Sequence, residues 1–144
     1  RFAEIIGAVD PRQEPTGLQL LATSEQPSLV AENERFRIDA VRWPVLDGID
    51  AEGLWLRPRG PTVARVIAIP DADWTPEMIT GLAECPTRFA ADLAAAGCEV
   101  LVPAIVDRDS QFSSNPTIGK RTNLTHREFI YRQAFELGRH LICY

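Results

Sequence analysis

The sequence changes its apolar rhythm near Pro61, and that change restricts the chain to a few architectures. From Phe36 to Val45 apolar and polar residues alternate, with Phe36, Ile38 and Ala40 on one side and Arg37 and Asp39 on the other. A period of two marks a strand with one buried face. Asp47-Gly48 supplies a hairpin turn, Ala51 to Leu56 forms the return strand, and Pro58-Arg59-Gly60-Pro61 stops it. Beyond Pro61 the alternation is lost. Val66-Ile67-Ala68-Ile69 and Val100-Leu101-Val102 are unbroken apolar runs. Such runs suit strands covered on both faces, as in a parallel sheet.

The segment between those runs carries helix punctuation. Thr75 fits an N-cap with Pro76 in the first helical position, which predicts a helix to about Glu84. Pro86 restarts a second helix in which Phe89, Leu93 and Ala96 share a face, and Gly97 fits its left-handed cap. Cys98 to Val106 reads as the next strand, so strand, helix and strand predict a right-handed parallel crossover. Residues 107–124 read as a long polar loop. Thr125 and Glu128 then match a capping box, followed by a stripe of Ile130, Ala134, Leu137 and Leu141 with no stop signal before Tyr144. Upstream, Leu18 to Thr23 fits a short strand and Pro27 to Glu34 a polar connection. The expected division is a lead-in over residues 1–35 and an α/β domain over 36–144.

Composition narrows the function. The chain has 144 residues, and its 15 basic against 20 acidic side chains give a net charge of −5. A nucleic-acid or anionic-membrane binder would need a basic face, so neither partner is expected. No stretch approaches the ~18 consecutive apolar residues of a membrane span. Cys85, Cys98 and Cys143 are far apart and make no Cys-x-x-Cys pair, so neither a structural zinc site nor a disulfide framework is expected. The start at Arg1 and an unfinished helical pattern at Leu141-Ile142-Cys143-Tyr144 suggest a piece of a longer protein.

In open α/β sheets, ligands bind beyond the carboxyl ends of the strands. Two segments fall there: Pro70-Asp71-Ala72-Asp73-Trp74-Thr75 and Val106-Asp107-Arg108-Asp109-Ser110. Both are acidic. Asp107 and Asp109 fit ordinary solvated loop residues better than ligand-binding ones. Asp71-x-Asp73-x-Thr75 after an apolar strand resembles the first motif of the haloacid-dehalogenase phosphatases. That resemblance implies a magnesium-dependent phosphotransferase with Asp71 as nucleophile, Asp73 as proton carrier and Lys120 as its lysine.

A broader resemblance covers residues 36–144. Val41-Arg42-Trp43-Pro44-Val45, Glu52-Gly53-Leu54-Trp55-Leu56 and Val66-Ile67-Ala68-Ile69-Pro70 resemble the opening strands of the α/β-hydrolase superfamily. The similarity is to its dienelactone-hydrolase and acetyl-xylan-esterase-like branch. Ala95-Ala96-Gly97-Cys98-Glu99-Val100-Leu101-Val102-Pro103 and His126-Arg127-Glu128-Phe129-Ile130-Tyr131-Arg132 extend it.

The resemblance implies the N-terminal half of an α/β-hydrolase sheet and, for the parent protein, a serine esterase acting on small-molecule or carbohydrate esters without a cofactor or metal. The loop after the third strand would supply an oxyanion-hole N–H, from Ala72 or Asp73. Pro70 and Asp71 stand where the family has His-Gly. Trp74, Asp107 and Arg108 are the substrate-pocket candidates. Ser24, Ser28, Ser110, Ser113 and Ser114 lack the flanking glycines of a Gly-x-Ser-x-Gly turn, so the catalytic triad is expected downstream of Tyr144. His126 and His140 fit ordinary helix residues, and the chain alone is expected to be inactive. The residues do not fix a compartment, although relatives in this branch are often exported. A hydrolase-like module used only for binding is the further alternative.

Overall fold

The computed structural model describes residues 1–14, 17–110 and 124–141. The chain divides into two units, one from Arg12 to Ile105 and one from Arg1–Pro11 with Val106–Tyr144. The first holds the sheet. Its strands are β1 (Gln19–Leu20), β2 (Leu29–Glu32), β3 (Phe36–Leu46), β4 (Ile49–Pro58), β5 (Ala64–Ile67) and β6 (Cys98–Pro103). They run in the order β1-β3-β4-β6-β5, with β2 also pairing β3.

The alternating segments became the hairpin. β3 and β4 pair antiparallel from Phe36 opposite Pro58 to Leu46 opposite Ile49, with Asp47 and Gly48 between them. Gly48 has φ +70°, a conformation available to glycine at little cost. The continuous apolar runs became the parallel pair, with Val66 opposite Val100 and Ile67 opposite Leu101. β6 enters between β4 and β5, antiparallel to β4. The expected mixture of a hairpin and parallel strands is present, with β5 and β6 as the parallel pairing among the described residues.

Two short helices, α2 (Pro76–Thr80) and α3 (Phe89–Ala95), cover one face of this sheet. Ile38, Leu56, Val100 and Val102 face them together with Ile79, Ala90 and Ala94, all nearly excluded from solvent. Small alanines let α3 lie close to the strands. The opposite face is mixed over β3 and β4, where Val41 and Trp55 share it with Arg37, Asp39 and Arg57. There Asp39, wholly buried, accepts from Arg37 Nη2 at 2.7 Å and from Arg57 Nη2 at 2.5 Å. Burial opposes ionisation of Asp39, but the hydrogen bonds and charges of Arg37 and Arg57 outweigh it and hold its carboxyl below the usual range. The Arg57 guanidinium also lies 4.4 Å from the centre of the Trp55 ring.

Several boundaries differ from the expectations. The predicted polar connection at 27–34 contains β2, because Leu29 and Ala31 find partners in Asp39 and Ile38. The first helix stops at Thr80 instead of Glu84, since Gly81 turns left-handed at φ +79°. The second begins at Phe89 instead of near Pro86, and Gly97 at φ +95° follows its end as expected. The strand expected to reach Val106 ends at Pro103.

The second unit contains α1 (Phe2–Ile5) and α4 (His126–Glu136). Thr125 caps α4 by accepting from the Glu128 N–H at 3.3 Å. The helix does have a stop signal: Gly138 takes φ +69° and Arg139 N–H returns to the Ala134 carbonyl at 2.8 Å. Of the expected apolar stripe, Ala134 is buried while Leu137 is exposed.

Candidate functional site

The loop 70–75 leaves the carboxyl end of β5 and feeds directly into α2. Its shape is set by a short turn in which the Trp74 N–H donates to the Asp71 carbonyl at 2.9 Å. The Trp74 side chain packs against the core cluster, which anchors the loop at its far end. The Thr75 N–H then donates to Met78 Sδ at 3.3 Å, and Pro76 occupies the first helical position.

One oxyanion candidate is engaged within the loop itself. The Ala72 N–H donates to Asp71 Oδ1 at 2.6 Å. Asp71 and Asp73 are both exposed. The carboxylate of Asp71 therefore takes the place at the Ala72 N–H that an external anionic oxygen would need. Among the described residues, no three His, Cys, Asp or Glu side chains converge as a metal site requires. Lys120, the lysine of the phosphatase resemblance, lies outside the described residues, as do Ser113, Ser114, Cys143 and most of the predicted loop 107–124.

The other acidic segment is more organised than a solvated loop. Asp107 Oδ1 accepts from the Asp109 N–H at 2.9 Å and meets His126 Nδ1 at 2.7 Å. The His126 N–H donates to the Asp109 carbonyl at 2.7 Å, and Arg127 Nε donates to the Val106 carbonyl at 2.5 Å. The first turn of α4 is thus tied to residues 106–109 by three contacts. A neutral His126 in this arrangement carries its proton on Nδ1, because a carboxylate can only accept. Arg108 is exposed.

The sequence alone did not place His126 against Asp107, which lies 19 residues away. A usable signal was present: an Asp-x-Asp turn followed by a histidine in the first helical position. Farther along α4, Arg132 meets Glu128 at 2.6 Å. Arg139 instead forms a two-pronged pair with Asp10 at 2.8 and 2.9 Å, because the left-handed turn at Gly138 takes it off the helix.

No family model and no curated protein matches this chain. Among solved structures, the crystal structure of an inferred acetyl xylan esterase from Bacteroides fragilis matches 99% of the chain with a TM-score of 0.63 and 16% sequence identity. The chain spans 37% of the length of that protein. At this identity the likeness is one of fold: the chain is built like part of an esterase structure.

Proposed function

We propose that this chain forms the N-terminal part of a serine esterase acting on small acyl or carbohydrate esters. The observation that carries the proposal is the esterase-like fold over nearly the whole chain, and the loop after β5 agrees with it. That loop lies beyond the carboxyl end of a parallel strand, where α/β enzymes gather their ligands.

In this reading a serine from a Gly-x-Ser-x-Gly turn, supplied from beyond Tyr144, attacks the ester carbonyl. The alcohol leaves, and water hydrolyses the acyl-enzyme with a histidine moving the protons. This chain contributes the backbone N–H of Ala72 or Asp73 to the developing oxyanion. One such donor is worth roughly 2.7–4 kcal/mol. Asp71 guards the Ala72 donor in the resting state and leaves when substrate enters. Trp74 closes the loop, and Asp107 with His126 fixes the start of α4.

The test uses the native protein. A fluorophosphonate probe should label one serine beyond Tyr144, and its replacement by alanine should abolish hydrolysis of p-nitrophenyl acetate. The 144-residue chain alone should show no esterase activity. A native intact mass ending at Tyr144, with no labelled serine, would overturn the proposal.

A further inference from the structure

A cavity of about 330 Å³ lies between the β2–β3 turn and the helices α2 and α3. It is separate from the loop 70–75. Ile38, Leu56, Val100 and Val66 form one rung across the sheet, and Phe36 lies beyond that rung toward the amino end of β6. Since Phe36 lines the cavity, the cavity sits toward the end of the sheet opposite the proposed ester site. Its volume is at the small end of the range for ligand pockets, ~300–1,000 Å³.

Its floor is apolar, formed by Phe36 and Ile38, with Ala91 and Ala95 on the helix side. Small side chains on α3 leave this space open. Four charged side chains line it: Glu32, Arg35, Arg88 and Asp92. Both carboxylates already have partners. Glu32 is ion-paired with Arg59, and Asp92 lies 3.5 Å from Arg88.

The groups left over are donors. The Arg35 guanidinium makes no hydrogen bond or ion pair among the described residues. Asn33, also in the lining, spends its Oδ1 on the N–H groups of Arg35 and Phe36, which leaves its amide nitrogen to donate. An unmatched planar cation and a spare amide donor lining the same cavity suit a carboxylate, which can accept from both. The apolar floor demands an apolar body attached to that head.

We propose that this cavity binds a small organic acid of benzoate size, with its carboxylate toward Arg35 and Asn33 and its apolar body over Phe36 and Ile38. Arg88 offers a second guanidinium, in competition with Asp92. The site is independent of the esterase reading and does not require the triad.

The experiment is a titration of the 144-residue chain with benzoate, followed by amide chemical shifts. Saturable shifts should concentrate at Asn33, Arg35, Ala91 and Ala95. Arg35→Gln should weaken binding by about tenfold, as expected for the loss of one charge-assisted contact. Ala95→Leu, which fills the space without changing charge, should also weaken it. Benzyl alcohol and inorganic phosphate should each bind at least about tenfold more weakly than benzoate, since each lacks one half of the recognition. Shifts scattered away from the cavity, equal binding of benzyl alcohol or phosphate, or an unchanged affinity in Arg35→Gln would overturn the proposal.

Discussion

The centre of the sheet and its β5 edge are built from similar residues and end in opposite environments. Val41, Leu56, Val100 and Val102 lie on β3, β4 and β6, where both strand edges are paired, and all are fully buried. On β5 and its flanks, Val63, Ile67 and Ile69 are 70%, 67% and 65% exposed. Only the alternate residues turn inward: Val66 packs on the core and Ala68 is buried. The free edge of β5 has no strand beyond it among the described residues. Hydrophobicity sets which residues seek burial, but position in the sheet decides which obtain it.

The largest effects should follow from disturbing the centre. Gly53 faces Pro103 across the β4–β6 ladder, and a Cβ built there would sit 2.3 Å from the Val102 carbonyl oxygen. That contact is to backbone, so no side chain can move aside. Gly53→Ala should force the strands apart and cost about 3 kcal/mol, the upper end of overpacking penalties, read as a lowered urea midpoint. Leu56→Ala removes a wholly buried side chain between the sheet and the helices. It should cost about 2–4 kcal/mol, depending on how far α3 settles into the void.

Asp39 tests the other face of the same strands. Its carboxyl is held below the usual range by Arg37 and Arg57. A depressed folded value means that its contribution is complete above the unfolded value of about 3.9 and is lost as pH falls through the folded one. Stability should therefore drop below about pH 4 in the native sequence. Asp39→Asn should be less stable at pH 7 by about 2–3 kcal/mol. That is somewhat less than for a fully buried pair, because both arginines keep about a third of their surface in water. The difference between the two proteins should shrink in acid, as chemical denaturation at a series of pH values would show.

The centre was also the legible part of the sequence. The period of two around Ile38 and Asp39 specifies a face, and Asp47-Gly48 specifies the turn, so the hairpin follows from local rules. The unbroken runs at Val66 and Val100 announced parallel strands, but a run cannot say which of its residues will be covered. β2 carries no local signal, because Leu29–Glu32 is too short for a periodic pattern and depends on its pairing with β3. Gly138 does not stand out as a stop, because the apolar spacing continues through it to Leu141. At the candidate site, the loop 70–75 is legible from its place after a strand. The bond from Ala72 to Asp71 and the pair of Asp107 with His126 depend on side-chain directions that spacing does not encode.

Ile67→Lys should have the smallest effect in the isolated chain, and it discriminates most sharply between the two regions. At 67% exposure Ile67 forfeits little packing when replaced, so the change should stay within about 0.5 kcal/mol. An added lysine on a free edge also discourages strand-to-strand association, so sedimentation should show fewer oligomers than for the unmodified chain. The same substitution in the native protein gives a different answer if further chain covers β5. Burying a side chain of this type contributes about 1.5–3 kcal/mol, and lysine would forfeit at least that amount. A small loss in the 144-residue chain with a large loss in the native protein would place β5 inside a wider sheet. Equal small losses would leave it a true edge and remove the structural basis for a nucleophile-bearing strand beside it.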